Sequence, residues 1–148
     1  GPVGAIRQVM RRPLIDINVL LDVLCEREPF LGEAERIWTA AETKQIDGLV
    51  SADSFSTVYY LLRQASNSRT AKRGISLLLS VFEVIELDEQ ILRQALDSPV
   101  KDFEDAIQQH CAVRGHADCI VTRDLRHYRN ADLPVISPGS FLAALDAE

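Results

Sequence analysis

Acidic residues at three separated places in the 148-residue chain stand where they could act together. Asp16 ends the apolar run Leu14-Ile15. Asp102 and Asp105, three residues apart, precede the apolar positions Ala106, Ile107 and Cys111. Asp124 follows Cys119-Ile120-Val121. Carboxylates gathered in one place repel and raise each other's pKa; they stay ionised when a cation sits among them. An all-oxygen donor set favours the hard ions Mg²⁺ or Mn²⁺ over zinc. Such ions activate water and stabilise in-line displacement at phosphorus. The chemistry open to these residues is therefore metal-assisted hydrolysis of a phosphate ester. Asp16 alone could equally cap a helix. Cys25, Cys111 and Cys119 form no CxxC pair, and His110, His116 and His127 show no ligand spacing with them.

The acids can meet only if the intervening elements place them on one edge. Leu14-Ile15 reads as a buried strand, and Asn18 as the N-cap of a helix carrying Val19, Leu20, Val23 and Leu24. A helix follows over 31–43, then a strand over 48–51. Phe55, Val58, Tyr59 and Leu62 have the spacing of one helix face, with Asp53 or Ser54 as its cap. Residues 66–68 break the chain before a second stripe of Ile75, Leu78, Leu79 and Phe82. A strand over 84–87 leads to a helix capped by Asp88. Asp102 opens the next helix, whose apolar face is Phe103, Ala106, Ile107 and Cys111, and Arg114-Gly115 closes it. The run Cys119-Ile120-Val121 is a fourth strand. A proline-led edge strand over 133–136 and a terminal helix with Phe141, Leu142 and Leu145 complete the series. Alternating strands and helices predict an α/β fold: a three-layer α/β/α sandwich around a parallel sheet of about five strands. In that sheet Asp16 and Asp124 leave one edge, where ligands bind in open α/β folds. The antiparallel crossover helix brings Asp105, and secondarily Asp102, to the same edge.

Composition sets the frame. The chain is 47% hydrophobic and 26% charged, ordinary for a globular domain, and residues 10–148 read as a single one. Residues 1–9 read as a non-core segment, because Gly1-Pro2 resembles the scar left when an expression tag is cut away. Met10 is the sole methionine and could be the native start. The net charge of −6 argues against a basic protein that coats nucleic acid but leaves a nuclease open. No apolar run reaches the length of a membrane span, and cysteines among apolar residues read as free thiols of a cytoplasmic protein.

Taken in order, the motifs resemble those of PIN domains. Ile15-Asp16-Ile17-Asn18-Val19-Leu20-Leu21-Asp22 resembles the opening motif and Asp102-Phe103-Glu104-Asp105-Ala106-Ile107 the third acidic motif. Ala117-Asp118-Cys119-Ile120-Val121-Thr122-Arg123-Asp124 resembles the closing motif, and Pro134-Val135-Ile136-Ser137-Pro138 with Phe141-Leu142 the tail. The resemblance implies an Mg²⁺- or Mn²⁺-dependent ribonuclease with Asp16, Asp105 and Asp124 as catalytic, metal-site carboxylates. It further implies a toxin similar to the VapC type, with an RNA substrate, a cognate antitoxin and a homodimer. The family places Glu on the helix after the second strand, and that position is Thr57 here. Asp53 lies one turn earlier and could serve through the metal's outer shell, or could merely cap the helix. Arg123, Arg126 and Arg129, with Lys72 and Arg73 further off, read either as phosphate contacts beside the proposed site or as plain surface charge, and His127 as a phosphate contact or a solvent-facing imidazole. Asp118 stands at the wrong edge and reads as structural; Asp22 and Glu104 read as solvated or supporting.

Two other classes stay in view. Thr57 makes a non-catalytic PIN-like binder of RNA or protein credible. A phosphoacceptor domain also places Asp at strand ends, but Asn18 stands where its second Asp belongs, and no Lys follows the fourth or fifth strand.

Overall fold

Five strands form one parallel sheet in the order β3-β2-β1-β4-β5: β1 (Pro13–Ile15), β2 (Leu49–Ser51), β3 (Glu83–Ile85), β4 (Cys119–Val121) and β5 (Val135–Ile136). The computed structural model describes residues 10–147; the segment 1–9, read above as lying outside the fold, and Glu148 are outside the described residues. Strands β1, β2 and β4 are buried at every position, as strands covered on both faces must be. Alternation along each strand sorts the side chains into two cores. Ile15, Val50 and Val121 pack with helices α1 (Ile17–Leu24), α2 (Leu31–Glu42), α3 (Ala52–Ala65), α4 (Ser68–Val81) and α7 (Pro138–Asp146). Leu14, Leu49 and Ile120 pack with α5 (Glu89–Leu96), α6 (Phe103–Arg114) and Tyr128 of a 3₁₀ turn, Leu125–Tyr128. The architecture is the three-layer α/β/α sandwich expected from the alternation.

The chain winds outward from β1 to β2 and β3 on one side, then returns through α5 and α6 to β4 on the other. The strand order therefore reverses between β1 and β4, the point where open α/β sheets form a crevice. Asp88 and Asp102 cap α5 and α6 as read, accepting the amides of Ile91 and Asp105 at 3.0 Å each. Cys25, Cys111 and Cys119 are free; burial pushes the Cys111 and Cys119 thiols up to about 12 and so keeps them protonated. No described helix is long and apolar enough to cross a membrane.

The structure corrects the reading in several places. Helix α1 begins at Ile17, so Asp16 and not Asn18 holds the N-cap position. Helix α3 begins at Ala52 behind Ser51, which puts Asp53 inside the first turn and leaves neither Asp53 nor Ser54 as the cap. Strand β3 starts at Glu83, earlier than the reading placed it. Leu79 is 56% exposed; α4 packs instead through Ala71, Gly74 and Leu78, because a small residue at 74 lets the helix approach Leu62. Phe103, at the first position of α6, lines the cavity at the sheet edge rather than the core.

Gly48 shows how closely one core is packed. A β-carbon there would meet the Phe82 ring at 2.6 Å, and that ring is held edge-on against Trp38 at 5.1 Å. Overpacking at such a place costs about 1–3 kcal/mol. Gly48→Ala should lower stability by that amount in urea unfolding, and an unchanged midpoint would contradict the tight fit.

Candidate active site at the carboxyl edge of the sheet

The register of β1 on β4 sets Ile15 opposite Val121, so Asp16 and Thr122 leave the sheet side by side. The Asp16 amide continues the ladder, donating to the Val121 carbonyl at 2.9 Å. Although Asp16 sits at the N-cap position in extended backbone, its side chain makes no capping hydrogen bond. The Thr122 hydroxyl donates to Asp16 Oδ2 at 3.1 Å, and Thr122 Oγ1 accepts the Asp124 amide at 3.0 Å. Thr122 is fully buried, so one hydroxyl fixes both acidic positions. The residue reading passed it over; its signal is a hydroxyl directly after an apolar strand. Burial raises the Asp16 pKa, partly offset by the Thr122 hydroxyl, the nearby Ile17 and Asn18 amides and the Arg123 charge.

Asp16, Asp53, Asp105 and Thr57 line one cavity of about 350 Å³. Asp105 is brought there by α6, which runs antiparallel to the strands and presents its first turn at the carboxyl edge. Desolvation, followed by the charge of Asp102, pushes the Asp105 carboxyl up to about 6, against the opposing pull of His127. Asp53 and Thr57 face the cavity from adjacent turns of α3. The Nε2 of Gln108, three residues beyond Asp105, lies 2.5 Å from Ser51 Oγ, 3.2 Å from Ser54 Oγ and 3.5 Å from both Asp53 oxygens, and its two N–H groups are shared among them. Gln108 is 8% exposed and its Oε1 has no partner among the described residues. This network also escaped the residue reading, and its signal is an amide on a helix face that must be buried.

Asp124 does not line that cavity. Its Oδ2 lies 3.0 Å from His127 Nε2, while His127 Nδ1 stands 3.7 Å from Asp105 Oδ2, so the imidazole spans the two acids. Asp102 lies on the far side of Asp105, lining a second cavity together with Arg126 and His127. Among the described residues no group of three or more His, Cys, Asp or Glu side chains is assembled as a ready-made metal cage. Arg123 is committed elsewhere: Nε and Nη2 reach Asp22 Oδ2 and Oδ1 at 2.8 and 3.2 Å, and its guanidinium carbon lies 3.8 Å from the centre of the Phe30 ring. Asp22 is 1% exposed, which removes the solvated reading and leaves the supporting one, and Arg123 is held on it by the segment after β4. Asp118 accepts the Arg12 amide at 3.0 Å at the opposite edge, in the structural place expected of it.

A family model described as PIN domain matches residues 12–126. Ribonuclease VapC1 of Aquifex aeolicus (strain VF5) is 27% identical over 135 residues, spanning 86% of this chain and 90% of the relative. The crystal structure of Mycobacterium tuberculosis VapC20, a sarcin-ricin loop cleaving toxin, aligns with a TM-score of 0.64 at 16% identity, covering 77% of this chain and 91% of that one. A toxin–antitoxin complex from Klebsiella pneumoniae aligns with a TM-score of 0.64 at 19% identity, covering 85% of this chain and 97% of that one. At such identities the two structural likenesses speak for the fold.

The Asp22–Arg123 pair generates its own expectation. Removing one partner of a buried ion pair costs about 3–5 kcal/mol where the other charge is left wholly uncompensated; Arg123 is partly exposed and Arg27 stays 3.9 Å from Asp22, so the cost here is smaller, about 1–3 kcal/mol. Arg123→Met should destabilise by that order in denaturant unfolding, and adding Asp22→Leu should recover much of the loss. Equal costs in the single and double variants would place the effect in lost contact with Phe30 instead.

Proposed function

The chain belongs to the PIN-domain family, and on that footing we propose that it is an Mg²⁺- or Mn²⁺-dependent ribonuclease with Asp16, Asp105 and Asp124 at its reaction centre. Asp102 takes a secondary place and Asp53 supports the centre through the metal's outer shell. One observation carries this reading: Asp16, Asp53 and Asp105 share a cavity at the strand-order reversal, where desolvation and then Asp102 raise the Asp105 carboxyl to about 6. Crowded carboxylates in that condition are donors that a divalent cation neutralises, and their oxygens suit a hard ion. Their spread suits an ion that keeps several waters, as Mg²⁺ does. Once bound, such an ion would supply the Lewis-acid charge that activates water and steadies displacement at phosphorus.

The protein's own groups do the positioning. Thr122 holds Asp16 by its carboxylate and Asp124 by its amide. His127 keeps Asp124 turned toward Asp105. Gln108 steadies Asp53. RNA as substrate is supported by the ribonuclease relative, and a toxin role by relatives described as toxins and toxin–antitoxin complexes. An antitoxin and a second copy of the chain are the proposed protein partners. A second reading, an inactive binder of RNA or protein, is favoured by Thr57, which lines the cavity where the family's pattern has Glu.

The purified protein should cleave single-stranded RNA with Mg²⁺ or Mn²⁺ and stop in EDTA. Asp16→Asn and Asp105→Asn should each reduce cleavage by orders of magnitude while keeping the unfolding midpoint. Full activity in the Asp16→Asn protein would trace cleavage to a contaminant.

Asp53→Asn should weaken metal binding and cleavage by about 10–100-fold, the range for groups acting behind the direct ligands. Thr57→Glu should tighten Mg²⁺ binding in calorimetry. No change in either variant would remove α3 from the centre and favour the inactive binder.

A further inference from the structure

We propose that the cavity bordered by Lys101, Arg126 and Arg129 is a phosphate-binding subsite that grips an RNA strand beside the bond being cleaved. The proposal rests on the ribonuclease reading and deepens it by naming where the strand is held. The cavity, about 250 Å³, lies between the α5–α6 loop, which brings Val100, Lys101 and Asp102, and the segment after β4, which brings Arg126, His127, Arg129 and Asn130. Asn130 Nδ2 donates to the Pro99 carbonyl at 3.4 Å, so the two walls are tied together.

What the cavity leaves unsatisfied is positive charge. Arg12, Arg27, Arg36, Arg93, Arg114 and Arg123 each face a carboxylate within 4.0 Å. Lys101, Arg126 and Arg129 make no ion pair or side-chain hydrogen bond among the described residues; Lys44, Arg63, Arg69, Lys72 and Arg73 make none either, but Lys101, Arg126 and Arg129 line one cavity together with Asp105 of the acidic site. Asp102 and Asp105 line the same cavity; Asp102 Oδ1 accepts the Asp105 amide and Asp105 faces His127, contacts that hold the two acids without cancelling their charge, so three cations stand against two carboxylates. Two guanidiniums and an ammonium, free and gathered at one opening, suit a phosphate, whose oxygens the planar guanidinium fork matches. In a protein of net charge −6 this is local cation enrichment against the overall balance.

Position gives the subsite its purpose. Asp105 lines this cavity and also the acidic one, so the two meet at a single carboxylate. A strand with one phosphate among Asp16, Asp105 and Asp124 can therefore lay a neighbouring phosphate against Lys101, Arg126 and Arg129. Such contacts set the strand's register without reading its bases. The acidic centre repels an RNA backbone until a cation fills it, and the adjoining cations supply the attraction that the centre lacks.

Binding of a mixed-sequence, single-stranded oligoribonucleotide, followed by fluorescence anisotropy in EDTA, tests this without cleavage. The variant Lys101→Ala/Arg126→Ala/Arg129→Ala should bind about tenfold more weakly. Its dependence of log K on log[salt] should flatten by about 0.7, the value for one phosphate on a single strand. Arg69→Ala/Lys72→Ala/Arg73→Ala removes the same charge from the exposed face of α4 and should do neither. Equal losses in the two variants would make the effect one of overall charge, and an unchanged first variant would leave the cavity without a role in RNA binding; either overturns the proposal. Cleavage by the wild-type protein is scored separately. Intact cleavage with an unaffected first variant removes the subsite alone, whereas pocket-dependent binding without metal-dependent cleavage removes the ribonuclease reading alone.

Discussion

The pairing of β1 with β4 is the constraint on which the rest of the site depends. Both strands are three residues long and wholly buried. The register that sets Ile15 opposite Val121 delivers Asp16 and Thr122 to the same level above the sheet. Shifting a strand by one residue would turn its apolar side chains to the wrong face, and both faces here are covered by helices. Core packing thus fixes the register, and the register fixes the hydroxyl-to-carboxylate contact. The position of Asp16 follows from burying Leu14 and Ile15 on opposite sides of the sheet.

Charge is arranged around this frame in two different ways. Asp22 and Arg123 satisfy each other inside the fold, pinning the segment that leaves β4 against α1 and Phe30. Among the described residues Asp16, Asp53 and Asp105 have no Lys or Arg in direct contact; Thr122, Gln108 and His127 restrain this group and its neighbour Asp124 without neutralising it. The first arrangement stabilises the fold, and the second leaves negative charge uncompensated at a cavity. That contrast within a few residues of β4 separates structural acids from candidate functional ones better than the presence of an acidic residue in a motif does.

The same contrast explains what could be read in the chain. The alternation of apolar runs with helical stripes carried the sheet, its layers and the edge that bears Asp16 and Asp105, because burial on both faces leaves so few arrangements. The caps at Asp88 and Asp102 were legible because a side-chain oxygen three residues before an amide is a local device. The roles of Asp22, Thr122 and Gln108 were not, because each is decided by a partner distant in sequence. Asp22 is off the apolar stripe of its own helix, which reads as solvated until Arg123 arrives from a segment 101 residues away. Leu79 and Phe103 failed for the opposite reason: their spacing was apolar and periodic, but the neighbouring surfaces ended before reaching them.

Helix phase also bears on the departure at Thr57. Because α3 starts at Ala52, residues 53 and 57 lie just over one turn, about 6 Å, apart along the same face, and both reach the cavity. A carboxylate at either position would therefore add charge to the same space, though from different depths along the helix. A short Asp in the first turn sits where the unpaired amides of a helix N-terminus favour a negative charge. It can also be held by Gln108 from the neighbouring helix. A Glu one turn further on would lack the first of these supports and would need a longer, more mobile side chain to reach the centre. An acid at 53 thus exchanges the reach of one at 57 for restraint by the helix N-terminus and by Gln108.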